Sequence, residues 1–292
     1  MKSIYVLGCS HTAGSELIDE HIIPNYWSFQ DEDWERTFEK FKEHMSYVIN
    51  YYGGDQIKYE AKCRKLNWVN SLKKKYNGND VNIIDHSFGG IGIKYFKDLY
   101  NKTHKKNLAK DVLFRRRLKE YILESDVLIW QLTVEPRYYE LYTDNQYVIV
   151  AHNLETFINN MLIYTKIPKW QRNLIIDYYK NIHNEIEYRK DLMNFVDLII
   201  YQRSLMKKHT IFFTVSDIDL KEIEYKKIEN EYTNWLYVEK NKSISNLLEY
   251  LVMNSKIKRD DTLTKFNHIS KNCHELICNY MFDYINDKGL LK

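Results

Sequence analysis

Apolar residues fall into short β-prone blocks, separated by longer stretches in which they recur at helical spacing. The blocks are Ser3-Ile4-Tyr5-Val6-Leu7, Val81-Asn82-Ile83-Ile84-Asp85, Val127-Leu128-Ile129-Trp130-Gln131-Leu132, Thr210-Ile211-Phe212-Phe213-Thr214-Val215 and Trp235-Leu236-Tyr237-Val238. Each is short enough for a strand and bounded by polar or turn residues. The third is apolar almost throughout, as suits a central parallel strand buried on both faces. Helical spacing predicts helices over residues 58–76, from 93 onward, and over 107–124, 153–166, 243–252 and 273–285. Residues 171–208 form a long helical stretch, as one helix or two. Residues 34–51 also have helical period, through Phe38, Phe41, Met45 and Val48. Tyr51-Tyr52-Gly53-Gly54 breaks that run, Asn77-Gly78-Asn79-Asp80 is a turn signal, and Pro136 ends the third strand segment. Strands alternating with helices predict a three-layer α/β/α sandwich around a mostly parallel five-stranded sheet. Residues from about 15 to 54 exceed a normal connection and read as an insertion.

Composition narrows the class more than it names a function. The chain has 292 residues, 44% hydrophobic and 28% charged, with 3 Pro and 9 Gly, so one large helix-rich globular domain is expected. Net charge is +3, from 43 basic and 40 acidic residues, which gives the whole chain no nucleic-acid signature. Local basic runs remain, at His104-Lys105-Lys106 and Arg115-Arg116-Arg117. They read first as a solvated helix face, with phosphate binding as the rival. The four cysteines, Cys9, Cys63, Cys273 and Cys278, make no zinc-type spacing. No apolar run approaches the roughly 20 residues that span a bilayer, and no signal-type segment follows Met1-Lys2. The expectation is a cytoplasmic, reduced protein that needs neither metal nor organic cofactor and engages no membrane.

Chemistry-bearing residues collect where the strands end. Gly8-Cys9-Ser10-His11 follows the first strand, Gly89-Gly90 the second, and Thr133 the third, with Gln131 before it and Arg137 after it. In a parallel sheet these loops share one edge. A further group, Phe266-Asn267-His268-Ile269-Ser270, comes just before the closing helix, with Ser270 as its natural N-cap. A serine becomes a nucleophile when a base takes its proton, and histidine suits that role at neutral pH. Glycine amides can then approach a developing oxyanion closely.

The order of these blocks resembles the SGNH/GDSL hydrolase superfamily, whose members carry Gly-Asp-Ser after the first strand. A glycine follows the second strand, an asparagine the third, and Asp-x-x-His precedes the last helix. Gly-Cys-Ser-His-Thr and the Thr-x-x-Pro-Arg block look like a divergent, phage-type branch. The resemblance implies a flavodoxin-like winding of the sheet and makes residues 153–208, like 15–54, helical insertions. It implies Ser10 as nucleophile and oxyanion donor, Gly89 or Gly90 as the second donor, and His268 as base. Cys9 stands where the family has aspartate, Lys265 where its acid stands, and no asparagine directly follows the third strand. Thr133 or Gln131 would replace that asparagine. His268 would work as a dyad, or be oriented by a backbone carbonyl, Asp260 or Asp261.

The expected activity is hydrolysis or transfer of an acyl ester, with an O-acetylated carbohydrate or similar small ester as substrate. His11 would contact substrate or support another side chain. Arg137 would pair with an anionic substrate group or with a surface acid. Cys9 and His274 read as structural. The rival function is a catalytically silent relative that binds a glycan, a nucleotide or a protein in the same cleft.

Overall fold

In the computed structural model, residues 1–8, 17, 46–47, 50–87, 93–101, 109–132, 138–141, 148–151, 169–181, 185–215, 230–236, 246–255, 258 and 269–292 are described. The sheet contains β1 (Lys2–Gly8), β2 (Val81–Ser87), β3 (Val127–Gln131), β6 (His209–Phe213) and β7 (Thr233–Leu236). All its pairings are parallel, in the order β2-β1-β3-β6-β7. The winding therefore starts near the middle and reverses once, as a flavodoxin-like sheet does. Every residue of β3 is buried, because its neighbours β1 and β6 flank it and helices cover both faces.

Alternation along the strands sorts the core into two layers. Ile4, Val6, Ile129, Ile211 and Phe213 face α2 (Trp68–Lys75), α7 (Leu247–Asn254) and α8 (Lys271–Asp287). Tyr5, Leu7, Leu128, Trp130 and Phe212 face α3 (Ile93–Asn101), α4 (Ala109–Glu124) and α6 (Glu185–Leu205). Full burial of each such side chain is worth about 1.5–3 kcal/mol, so both layers are needed. The three-layer architecture is as expected from the sequence.

Two details differ from the sequence reading. The helix expected over 58–76 is two helices, α1 (Gln56–Leu66) and α2, separated at Asn67. Asn67 is extended (φ −68°, ψ 161°), and its side chain accepts from the Asn70 N–H, so it caps α2 instead of continuing α1. A two-stranded antiparallel hairpin, β4 (Tyr138–Leu141) with β5 (Val148–Ala151), follows β3. The helical stretch 171–208 takes the second of the two forms expected, as the two helices α5 (Lys169–Asn181) and α6. α6 puts Leu192, Phe195, Val196, Ile199 and Ile200 into the core. The turn into β2 needs glycine: Gly78 has φ +90°, which other residues adopt only under strain.

The amino edge of the sheet is closed by charged residues. Arg203, fully buried, donates to Thr210 Oγ1 (2.8 Å), Ser125 Oγ (3.2 Å), and the carbonyls of Ser125 (3.1 Å), His209 (2.5 Å), Leu123 (3.3 Å) and Ile122. It thereby ties the end of α6 to the end of α4 and the start of β6. Burial pulls its pKa down to about 9, against the pull of Asp126, and the guanidinium stays charged at neutral pH. Asp126 accepts from Ser3 N–H (2.8 Å) and Lys208 Nζ (2.7 Å). Burial alone would raise its pKa, but the hydrogen bonds from Lys208 and Ser3 and the Lys208 charge outweigh burial and hold it below the usual value.

Candidate functional site

Parallel strands in register place their carboxyl ends side by side. Gly8 pairs with Ser87, Leu7 with Trp130, Gln131 with Phe213, and Phe213 with Leu236. The chain leaves this edge after Gly8, after Ser87 and after Leu132. Open α/β sheets bind ligands at this edge.

The helices on one face begin at the same edge. α2 leads through Tyr76 and residues 77–80 into the start of β2, where the Lys2 N–H donates to the Asp80 carbonyl (2.9 Å). Its first residue is therefore at the carboxyl edge. There the Trp68 N–H donates to His274 Nδ1 (3.0 Å), in the first turn of α8, while Tyr76 OH donates to Asn286 Oδ1 (3.3 Å) at the other end. α8 thus runs alongside α2 and also starts at the carboxyl edge. Ser270 caps it by accepting from the Cys273 N–H (3.3 Å), and Ile269 is buried in the core layer of Val6 and Ile129.

A chain of hydrogen bonds joins these parts. Asp85 Oδ1 accepts from Ser87 N–H (3.0 Å) and Ser87 Oγ (2.5 Å), and Asp85 Oδ2 accepts from Asn67 Nδ2 (3.0 Å). Arg64 Nη2 donates to the Ser87 carbonyl (2.5 Å). This network escaped the sequence reading. Its signal was an aspartate two residues before a serine at a strand end, an arrangement in which the carboxylate reaches forward to its own backbone.

His86 points to the opposite layer. Tyr5 OH and His86 Nδ1 are 2.7 Å apart, and the rings of Tyr5 and Phe96 meet the imidazole edge-on. Burial, with the nearby Arg64 charge, pushes its pKa down to about 3, so it is neutral at physiological pH and a poor base. Burial pushes the Cys273 thiol up to about 12, and burial is also the main reason Cys278 reaches about 11; neither suits a nucleophile. Among the described residues no group of three or more His, Cys, Asp or Glu is placed to hold a metal. No described helix is long and apolar enough to cross a membrane.

Of the residues singled out from the sequence, Gln131 is described: it is buried, and alternation puts it on the face of Val127 and Ile129, towards α2 and α8. Ser10, His11, Gly89, Gly90, Thr133, Arg137, Asp261 and His268 lie outside the described residues, as do Cys9 and Asp260. Their described neighbours in the chain are Gly8, Ser87, Leu132 and Ile269. His274 is buried and receives the first N–H of α2, the structural role its place inside a helix implied.

No family model matches the chain, and no curated protein matches it. Among solved structures it is similar to a lipase from a goat rumen metagenome, with a TM-score of 0.40 and 10% identity. That alignment covers 99% of this chain and 98% of the lipase chain. A likeness at that level says nothing about chemistry.

Proposed function

We propose that the protein is a serine hydrolase of the SGNH type, from a divergent, phage-type branch, that cleaves or transfers an acyl ester such as an O-acetylated carbohydrate. One observation supports this above others. β1, β2 and β3 end at the edge where α8 begins, and Ile269 is packed on the face that also carries Asp85, Ser87 and Gln131. Ser10 lies two residues beyond Gly8, and His268 one residue before Ile269. Consecutive Cα atoms are about 3.8 Å apart, and so short a reach from Gly8 and Ile269 supports a meeting of the two at that edge.

In this reading Ser10 Oγ attacks the acyl carbon and His268 takes its proton. The negative charge that develops on the carbonyl oxygen is met by the Ser10 amide, a Gly89 or Gly90 amide, and Thr133 or Gln131. Collapse expels the alcohol, protonated by His268, and a water activated by the same imidazole releases the acyl group. Asp261, Asp260 or a backbone carbonyl orients the ring. Arg137 and His11 line the substrate side. The insertions, residues 15–54 and 153–208, shape access and set the substrate. The reaction needs no metal or organic cofactor, and the buried Cys273 and Cys278 thiols suit a reducing cytoplasm.

A fluorophosphonate probe and p-nitrophenyl acetate test this on the full chain. The expected result is stoichiometric labelling and ester turnover, both abolished by Ser10→Ala, with turnover lost and labelling slowed in His268→Ala. Labelling that persists in Ser10→Ala overturns the nucleophile assignment. A wild-type chain that neither labels nor turns over favours the silent binding protein, a reading that Lys265 at the acid position already motivates.

A further inference from the structure

Ser87 is the last residue of β2, it is fully buried, and side chains hold all of its polar groups. Its N–H and hydroxyl both go to Asp85 Oδ1, and its carbonyl accepts from Arg64 Nη2. A strand end is ordinarily where pairing frays, because the backbone groups beyond the ladder lack fixed partners. Here the fixing is continued by side chains on two different elements. Asp85 is tied in turn to Asn67, which caps α2, and the α2 N-terminus is tied to α8 through His274. Gly8, the residue opposite Ser87 in register, ends β1. One network therefore holds the last residue of β2, directly opposite the residue that ends β1.

We infer that Asp85 and Arg64 are positioning residues: by clamping Ser87 they aim the glycine amides that follow it at the reacting oxygen. The inference rests on the hydrolase reading. A donor misplaced by about 1 Å costs on the order of a hundredfold in rate, so a clamp at the base of the loop acts on kcat more than on KM. Asp85 and Arg64 touch no substrate in this account. Ser87 transmits their effect through its backbone.

The test uses the full chain carrying Asp85→Ala, Arg64→Met or the milder Ser87→Ala, with Asp85→Asn and Arg64→Lys as conservative partners. Steady-state kinetics on p-nitrophenyl acetate, thermal midpoints, and hydrogen exchange of the amides at 87–92 are read together. The expectation is a fall in kcat of about ten- to a hundredfold in Asp85→Ala and Arg64→Met, with KM nearly unchanged. Ser87→Ala, which cuts one tie of three, falls less. Asp85→Asn still offers an oxygen to Ser87, and Arg64→Lys still offers a donor, so both recover much of the loss. Exchange at 87–92 speeds up by about tenfold or more in the damaging variants, while protection elsewhere is kept. Unchanged kcat, or a loss that merely follows the folded fraction, overturns the inference and leaves the hydrolase reading standing. If the wild-type chain neither turns over ester nor labels, the hydrolase reading fails instead, and exchange alone decides the clamp. Unaltered exchange at 87–92 then rejects it.

Discussion

At the amino edge of the sheet, Arg203 gives its donors mostly to backbone carbonyls at the ends of α4 and β6, and Asp126 is matched by Lys208 and Ser3. At the carboxyl edge, Asp85, Asn67 and Arg64 also form a hydrogen-bonded chain, but it ends on Ser87, where β2 gives way to the Gly89-Gly90 segment. The first cluster ties elements to one another. The second ties down the last residue of one strand. That difference separates polar residues that join elements to one another from polar residues that fix the end of one strand. It goes with burial, since Arg203 is fully buried while Arg64 and Asp85 are partly exposed.

Removing the buried guanidinium should break the amino edge most severely. Arg203→Met leaves several buried carbonyls without their donor and should cost about 3–5 kcal/mol in urea unfolding. Activity per folded molecule should be retained at low temperature. An equal loss of activity per folded molecule would show that the two edges are not separable.

His86 sharpens the comparison through pH. Its folded-state pKa is about 3, against 6.5 for the free side chain, so between those values the unfolded chain binds more protons than the folded one. Stability then rises with pH across that window; it is complete above about 6.5 and lost as the solution is acidified. Between pH 7 and pH 4 the loss should be ~2–3 kcal/mol. His86→Gln should flatten this slope, read as the urea midpoint against pH. An unchanged slope would place the acid sensitivity elsewhere.

The smallest effect concerns the end of α6. Lys207 has φ +54°, with Lys208 N–H reaching back to the Arg203 carbonyl (3.0 Å). Glycine is the residue this helix-ending turn favours. Lys207→Gly should therefore gain about 0.5–1 kcal/mol, visible as a higher unfolding midpoint, with the carboxyl edge undisturbed.

How far the sequence carries depends on whether a signal is local. β3 was readable because Val127 to Leu132 is apolar in both directions, and α8 because Ser270 announces its start and Cys273, Ile277 and Met281 share one face. The break at Asn67 was not readable, since it depends on Asp85, eighteen positions away, taking the Asn67 amide. The β4–β5 hairpin is made of short strands that leave no long alternating pattern. At the candidate site, the residue types and their order could be seen in the sequence. The clamp on Ser87 could not, because Arg64 is recruited from a helix whose own periodicity gives no reason to single it out.

The order of synthesis gives α8 one more consequence. Its apolar side covers the layer built on Ile4, Val6, Ile129 and Ile211, yet it follows all five strands in the chain. While the ribosome is still extending the chain, that half of the sheet has lost no surface to its outermost cover. Until α8 is made, α2 and α7 cover only part of that apolar layer, and the part left open is a surface for unwanted association.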